Sequence, residues 1–475
     1  MTRFVIMRKE VIYMLTYALE NTLDIPMYEY LYQCIKNDII HQKLKPHEKL
    51  PSKRAFAKNQ NMSLITIENA YNQLLIEGYI YSIEKKGYFV SVVDYPTPPN
   101  TTPIIIQQVE KKEYLIDLKN NSVSPIHFPF STWSKLTRQV LSSQDEALLK
   151  RSPQQGCDIL REAIAKHLYA FSGMNVSPSQ IVIGAGTEYL YNLVIQLLGR
   201  DQIYALENPG HHSISKVYQL NQIQYQYISL DQYGLCVDEL LKSHAHIVHI
   251  SPAHHYPTGI TMPIQRRMEL LNWANNHQGY IIEDDYDSEF RLRGKPISTL
   301  FQTDQNERVI YMNTFSKTLS PSFRISYMIL PSHLVQLYQQ KLGFYACSVS
   351  SFEQIILAYY MNQGYFEKHI NRMRNLYKSI RDEFLASLSQ SEIASIIKIT
   401  EENAGLHFLL HFPPYFSDQD VIEKANHIGL HIATLSQFYS EPYDSHTLVI
   451  NYSGLSKQDI PLAVELLTKL FTKQK

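Results

Sequence analysis

The sequence predicts a multidomain chain of 475 residues, in which a small all-α module ending in a hairpin precedes a large α/β domain. Helical, locally basic sequence fills residues 27–93, whereas short apolar runs alternate with helix-length segments through residues 114–475. Between them, residues 94–113 carry four prolines and no helical or alternating pattern, which is typical of an extended linker. Residues 1–26 are interpreted as an N-terminal extension.

The composition excludes several classes of protein. Apolar residues make up 44% of the chain and charged residues 19%, which is too little charge for a disordered chain. The net charge of −1 excludes a uniformly basic coat for nucleic acid. The four cysteines are far apart and suit a reducing compartment. No apolar run reaches the ~18 residues of a membrane span, so we expect a cytoplasmic protein without a membrane segment.

Basic residues and helix signals concentrate in residues 41–60, which contain six lysines and arginines against one glutamate. Ser52 and Ser63 each precede a helical segment, and we expect their side chains to cap it. The second segment ends at Gly78. It carries an apolar stripe at helical spacing, formed by Ile67, Ala70, Tyr71, Leu74 and Leu75. Residues 79–90 predict two short strands around a basic tip formed by Lys85, Lys86 and Gly87.

This order of elements predicts a winged helix-turn-helix. Such a module places its second helix in the major groove of DNA, while the wing and the helix N-termini contact phosphates. From composition alone an alternative stays open, in which the lysines form a solvated face and the two serines are helix caps and nothing more.

Residues 44–90 resemble a GntR-type DNA-binding domain in the segments LPSKR, AYNQLL, EGY and GYFV. The resemblance implies double-stranded DNA as a partner. Two positions depart from the family, which usually has glycine at His47 and arginine at Leu64, so base preference does not carry over. The candidate DNA-binding residues are Lys45, Ser52, Lys53, Arg54, Ser63, Thr66, Lys85, Lys86 and Gly87.

Six short apolar runs after residue 114 predict buried strands separated by helices. Most lack polar alternation, as expected for strands buried on both faces of a mostly parallel sheet. The runs are 181–183, 202–206, 246–250, 280–282, 309–312 and 325–330. In such a sheet the ligand lies at the carboxyl ends of the strands, and we therefore expect the functional residues there.

Lys317 lies in the strongest candidate for a catalytic segment, TFSKTLSPSFR, shortly after the run at 309–312. A lysine at this place can form a Schiff base with a carbonyl compound. Arg324, with Thr314 and Ser316, can hold a phosphate through charge-assisted hydrogen bonds. Taken alone, a lysine in a loop is more often a solvated surface residue.

Three further segments also follow predicted strands. Residues 281–286 (IIEDDY) end a strand in carboxylates, one of which can pair with a protonated pyridine nitrogen. Residues 184–187 (GAGT) lead into an apolar helix, and the N–H groups of such a turn bind phosphate. His254 and His255 have no third ligand at a recognisable spacing, so we predict no metal site.

Together these segments resemble an aminotransferase of the large pyridoxal-phosphate (PLP) family, fold type I, over about residues 117–470. The resemblance implies PLP as cofactor, with Lys317 as its Schiff-base lysine and Asp284 paired with its pyridine nitrogen. It implies a hydrogen bond from Tyr286 to the phenolic oxygen and stacking by His211, which replaces the tyrosine of the family. The phosphate would be held by Gly186, Thr187, the backbone of Glu188, Thr314, Ser316 and Arg324.

Three positions depart from the aminotransferase pattern. Tyr256 stands where these enzymes usually place an asparagine against the ring oxygen. Arg151 stands where a tyrosine of the neighbouring subunit usually reaches the phosphate, a task that its cation could perform. Val449 stands where an arginine clamps the substrate carboxylate, and no arginine follows Arg381. Because an amino-acid transaminase needs this clamp for orientation, we expect no ordinary turnover of amino acids.

A GntR-type domain, a proline-bearing linker and an aminotransferase-like domain, in this order, resemble the MocR-type transcriptional regulators. The segments AHHYPTG and IIEDDYDSEFR are characteristic of that family. The resemblance implies a homodimer on promoter DNA, in which the DNA-binding domain of one subunit lies against the PLP domain of the other. The effector would be PLP itself, or a small amine or amino acid sensed through PLP.

Two other hypotheses stay open. One is an active PLP-dependent aminotransferase with an appended DNA-binding domain, against which the missing arginine counts. The other is a DNA-binding protein with a degenerate fold that binds no cofactor, against which the intact Lys317, Asp284 and Arg324 count. A transamination assay tests the first of these, and a visible absorption spectrum tests the second.

Overall fold

The structure is a computed structural model that describes residues 15–17, 25–93, 113–120, 123–143, 146–292, 297–403 and 405–472. The chain divides into two compact units, Met1–Glu110 and Lys111–Lys475. Nearly all of the linker predicted at 94–113 lies outside the described residues, as does most of the extension predicted at 1–26. None of the helices among the described residues is both long and apolar enough to cross a membrane.

The N-terminal unit contains three helices followed by a hairpin. In chain order these elements are α1 (Met27–Ile40), α2 (Lys53–Gln60), α3 (Leu64–Ile76), β1 (Ile80–Ile83) and β2 (Gly87–Val90). The apolar stripes of α1 and α3 form a common core in which Leu31, Ile35, Ile67 and Leu74 are fully buried. Removal of this apolar surface from water stabilises the unit, and the predicted winged helix-turn-helix is confirmed.

Local hydrogen bonds and the conformation of one glycine explain where three elements of this unit begin. Ser52 Oγ accepts from the Ala55 N–H at 3.3 Å and Ser63 Oγ accepts from the Thr66 N–H at 3.1 Å, so both predicted N-caps are confirmed. Gly87 opens β2 with a φ of 111°, a conformation that residues with a Cβ rarely adopt.

The C-terminal unit alternates strands and helices over most of its length. Its helices are α4 (Phe130–Ser142), α5 (Asp158–Ser172), α6 (Thr187–Leu198), α7 (His212–Leu220), α8 (Val237–Lys242), α9 (Ile264–Asn276), α10 (Leu300–Thr303), α11 (Ser332–Leu342), α12 (Ser351–Asn362), α13 (Tyr365–Ser389), α14 (Asp418–His427) and α15 (Ile460–Phe471). Its strands are β3 (Ile116–Asp117), β4 (Ile181–Gly184), β5 (Tyr204–Asn208), β6 (Tyr225–Asp231), β7 (Gly234–Leu235), β8 (Ile247–Ile250), β9 (Tyr280–Asp284), β10 (Val309–Thr314), β11 (Ser326–Ile329), β12 (Lys398–Thr400), β13 (His407–His411), β14 (Leu430–His431), β15 (Ala433–Thr434) and β16 (Thr447–Asn451).

The main sheet has eight strands in the order β4-β11-β10-β9-β8-β5-β6-β7. The strands from β10 to β6 run parallel to one another, β11 is antiparallel to both its neighbours, and β7 is antiparallel to β6. All residues of β4, β8, β10 and β11 are buried, which explains their continuous apolar sequence. The predicted mostly parallel sheet is thus confirmed.

Two features of the unit were not predicted from the sequence. β6 lies near one edge of the main sheet and only Ile228 of its residues is buried, so its sequence lacks a continuous apolar run. A separate antiparallel sheet, in the order β12-β13-β16-β15, packs with α13, α14 and α15 around a second core.

Candidate functional site

The carboxyl ends of four neighbouring parallel strands meet in a cleft of about 590 Å³. Gly210 and His211 follow β5, Ser251 follows β8, Asp284 ends β9 and Thr314 ends β10, and all five residues line the cleft. Because these strands are parallel, their ends lie at one edge of the sheet, which is where ligands of such sheets bind.

Asp284 is a buried carboxylate with one oxygen engaged by the protein. Oδ2 accepts the hydroxyl of Tyr191 from α6 and lies 3.7 Å from His249 Nε2. Oδ1 is buried and has no hydrogen-bond partner among the described residues. A buried carboxylate oxygen without a donor is costly, so Asp284 is suited to accept a proton-bearing group of a ligand in the cleft.

Lys317 follows β10 in a tight turn, where the Ser316 N–H donates to Thr314 Oγ1 at 3.1 Å. The lysine lines the same cleft as Asp284. Burial lowers the pKa of Lys317 to about 8, although the charge of Asp287 acts in the opposite direction. A lysine with this pKa has a substantial neutral fraction near physiological pH, and the neutral amine is the nucleophile.

We expect the rate at which the stripped protein captures PLP to rise with pH and to level off above about pH 9. Because Lys317 loses its proton through this range, its neutral fraction increases about 15-fold from about pH 6.5 to about pH 8. Stopped-flow absorbance of the cofactor measures the rate. A rate that still rises steeply near pH 10, as for an ordinary lysine, contradicts the lowered pKa.

The N-terminus of α6 and the turn after β10 contribute the phosphate-binding candidates. Thr187, Thr314, Ser316 and Arg324 all line the cleft. Gly186 has a φ of 94°, and a Cβ at this position would collide with the Arg324 guanidinium, so this close approach requires glycine. Hydroxyls, helix N–H groups and an arginine are the donors that bind phosphate in proteins.

Glu188 is an acidic member of this group. Its Oε2 forms an ion pair of 2.5 Å with Arg324 Nη2, and both side chains are about half exposed. The sequence predicted a role for the backbone of Glu188 and missed its side chain, which lies against the cation expected to bind phosphate.

The aromatic candidates His211, Tyr256 and Tyr286 all line the cleft. The ring centroids of His211 and Tyr256 lie 5.9 Å apart. The Tyr286 hydroxyl donates to the His254 carbonyl at 2.9 Å, and the Tyr256 hydroxyl lies 3.3 Å from Asn451 Nδ2. Both hydroxyls thus have protein partners, and a contact with the ring oxygen of a cofactor stays a prediction.

Three predicted positions, Gly186, Arg151 and Val449, are not among the described residues that line this cleft. Arg151 Nη2 donates to the Phe344 carbonyl at 2.5 Å, and its predicted contact with the phosphate of a neighbouring subunit stays a prediction. Val449 is fully buried in β16, where it pairs with Leu409 of β13 and Ala433 of β15. A valine offers no hydrogen bond to a carboxylate.

The cleft residues that sequence reasoning missed include Tyr191, His249 and Lys119. Tyr191 lies one helical turn after Thr187, and His249 is a polar residue in an otherwise apolar strand, which are weak local signals. Lys119 follows β3, and its carbonyl accepts from Asn451 Nδ2 at 2.8 Å. That contact joins residues 332 positions apart, which no local pattern predicts.

Exposed basic side chains lie at the surface of the N-terminal unit. They come from the segment before α2, from α2 and from the turn between β1 and β2, and are Lys45, Arg54, Lys85 and Lys86. Cations of this kind, beside helix N-termini, contact DNA phosphates.

Other predicted DNA-binding residues make contacts within the unit. Ser63 Oγ lies 2.8 Å from Thr66 Oγ1, in addition to its capping bond. Lys53 Nζ lies 3.8 Å from Glu68 of α3 and 5.3 Å from the centre of the Tyr88 ring. Leu64, at the position of the family's arginine, is 39% exposed, so the first turn of α3 presents an apolar side chain to solvent.

Comparisons with known proteins agree with both units. Residues 27–90 match the family of bacterial regulatory proteins, gntR family, and residues 116–467 match aminotransferase class I and II. The chain is 37% identical to the "Uncharacterized HTH-type transcriptional regulator YdeL" of Bacillus subtilis, over 94% of this chain and 97% of that protein. It is 27% identical to the "Probable rhizopine catabolism regulatory protein MocR" of Rhizobium meliloti, over 96% and 95%. An archaeal alanine:glyoxylate aminotransferase is similar in structure, with a TM-score of 0.68 and 25% identity over 76% of this chain and 91% of that one.

The fold and the two sites define a transcriptional regulator in which a winged helix-turn-helix DNA-binding domain is joined to an aminotransferase-like domain of fold type I. The chain belongs to the MocR-type GntR regulators. Its cofactor is PLP, the cofactor of the aminotransferase class I and II fold. The sequence-based predictions of family, fold, cofactor and regulatory class are confirmed.

The cleft suits this cofactor chemically. Asp284 Oδ1 is a buried acceptor to which none of the described residues donates, so it can accept from a pyridine N–H. Lys317 offers an amine of lowered pKa to an aldehyde. The glycine at position 186 leaves room for the Arg324 guanidinium beside the N-terminus of α6, where a phosphate would find cationic and N–H donors together.

Proposed function

We propose that this chain is a cytoplasmic, homodimeric regulator whose binding to promoter DNA responds to PLP, or to a small amine or amino acid sensed through PLP. The observation that carries the proposal is that Lys317 and Asp284 line one cleft, whereas a buried valine, Val449, stands at the position of the carboxylate clamp. These residues support cofactor binding and leave an amino acid without its usual orienting partner. A regulator benefits, because an effector that is consumed gives only a transient signal.

The residues of the cleft have separate roles in this proposal. When bound, PLP supplies an electrophilic aldehyde and an electron-withdrawing ring. Lys317 provides the attaching amine, and Asp284 holds a proton at the ring nitrogen. His211 would pack on the ring, and Tyr256 and Tyr286 are the residues that would contact its phenolic oxygen. The phosphate would be held by Arg324, by Thr187, Thr314 and Ser316, and by the backbone of Glu188, at the turn that contains Gly186.

We further propose that Lys119 receives the acidic group of an amino-acid effector. Lys119 lines the cleft, and Asn451 fixes its backbone through the 2.8 Å bond to its carbonyl. Asn451 lies two residues after Val449 on β16. A lysine ammonium attracts a carboxylate as a point charge, whereas an arginine binds it through two parallel hydrogen bonds. Lys119 would therefore bind the carboxylate without fixing its orientation.

In the proposed homodimer, Arg151 of each subunit reaches the phosphate site of its neighbour. The support is that Arg151 is exposed and not among the described residues lining its own cleft. The DNA-binding domain of one subunit would lie against the PLP domain of the other. The exposed Lys45, Arg54, Lys85 and Lys86 would contact phosphates, with Ser52, Lys53, Ser63, Thr66 and Gly87 at the same interface.

Arg54→Ala tests the DNA-binding half of the proposal. We expect weaker binding to a duplex selected by the purified chain from a random pool, and equally weaker binding to a random duplex, because a phosphate contact carries no base information. Fluorescence anisotropy over a range of salt concentrations should show that the slope of log affinity against log salt falls by about 1.

The matched control is Arg138→Ala, which removes an exposed arginine from α4 in the other unit. Its affinity and salt slope should equal those of the parent chain. If Arg54→Ala also leaves both quantities unchanged, Arg54 does not belong to the DNA interface.

A further inference from the structure

The ion pair between Glu188 and Arg324 joins a group that attracts a phosphate to a group that repels one. Arg324 is the guanidinium of the phosphate-binding group, whereas Glu188 brings a carboxylate to the second residue of α6. At that place a carboxylate interacts favourably with both the helix N-terminus and the arginine. These are the same positive groups that a phosphate needs.

The other polar residues that line the cleft differ from Glu188 in charge or in exposure to solvent. Thr187, Thr314 and Ser316 are neutral hydroxyl residues that do not repel a phosphate, although Ser316 Oγ donates to the Phe323 carbonyl at 3.1 Å. The acidic residues Glu207 and Asp284 also line the cleft, but they are buried, with 8% and 6% of their surface exposed. The Glu188 side chain is 48% exposed, so it can leave Arg324 for solvent at little cost in desolvation.

We propose that the Glu188 carboxylate competes with the PLP phosphate for Arg324 and for the N-terminus of α6, and thereby weakens the affinity of the chain for PLP. Binding of the phosphate brings a second anion to the guanidinium that Glu188 holds at 2.5 Å, so the two negative groups repel each other. Occupancy of the cleft would therefore follow the free PLP concentration. This inference rests on the proposed function and makes PLP itself one of the signals to which the regulator responds.

The test compares two ligands and three proteins. Dissociation constants of PLP and of pyridoxal, which lacks the phosphate, are measured by equilibrium dialysis for the full-length parent chain, Glu188→Gln and Glu383→Gln. Glu383 is the matched control, because it forms an ion pair of 3.3 Å with Lys457 at similar exposure but is not among the residues that line the cleft. Glu188→Ala serves as a second variant at the tested position.

Glu188→Gln and Glu188→Ala should bind PLP about tenfold more tightly than the parent, because they remove a partly exposed negative charge beside the phosphate. Their affinity for pyridoxal should equal that of the parent, and Glu383→Gln should match the parent for both ligands. Equal or weaker PLP binding by both Glu188 variants, or an equal gain for pyridoxal, overturns the competition. If the parent chain itself fails to bind PLP, the proposed function fails and the inference with it, which is a distinguishable result.

Discussion

Lys317→Ala should leave no borohydride-stable cofactor on the chain, whereas the parent should gain the mass of one reduced cofactor per subunit. The described amines that line the cleft are Lys317 and Lys119, and burial lowers the pKa of Lys317 to about 8. Reduction fixes the bond between amine and aldehyde carbon, so intact-protein mass spectrometry counts the attachment directly. The variant should still bind PLP without a covalent bond, because the phosphate-binding residues are unchanged.

Lys216→Ala is the matched control for this experiment. Lys216 is an exposed lysine on α7, the helix that follows the His211 turn. We expect this control to carry one reduced cofactor per subunit, as the parent does. A reduced cofactor on Lys317→Ala would assign the attachment to another amine, which peptide mapping would identify.

The PLP-loaded chain should form at most about one product per subunit in the first ~100 s of incubation with excess amino acid and a keto acid. Without an arginine at Val449, an amino acid rarely presents its Cα–H bond perpendicular to the ring for Lys317 to accept the proton. Misplacement of this kind lowers rates by ~10²-fold or more, so we expect steady turnover below ~0.01 s⁻¹, against ~1 s⁻¹ or more for ordinary enzymes.

An active aminotransferase assayed beside the chain is the control for this prediction. A change in the visible spectrum with one turnover or none would agree with an effector-binding cleft. Sustained turnover at ~1 s⁻¹ or faster would instead favour the hypothesis of an active aminotransferase with a DNA-binding domain.

The parts of the site that could be predicted are those set by strand ends. Asp284 ends β9 and Lys317 comes shortly after β10, and these two parallel strands are neighbours in the sheet. The alternation of strands and helices therefore predicts that both residues lie at the same edge of the sheet. The caps at Ser52 and Ser63 were predictable because they depend on residues within three positions of each serine.

The parts that could not be predicted depend on contacts between distant segments. Tyr191 meets Asp284 across 93 positions, and Glu188 meets Arg324 across 136. The acidic side chain at Glu188 gave no local signal of its partner, because a glutamate in the first turn of a helix is favourable on its own. β6 was missed for a different reason, since its exposed face interrupts the apolar run that marks the buried strands.

In the proposed function, the state of the PLP cleft controls DNA binding. This is tested by the affinity for one selected duplex, measured with the chain stripped of PLP, loaded with PLP, and loaded in the presence of an amino acid. For the parent chain we expect at least two of these affinities to differ by about fivefold or more, the usual lower range of coupling between sites. Lys317→Ala should lose the response to the amino acid. Equal affinity of the parent chain in all three states would contradict the claim.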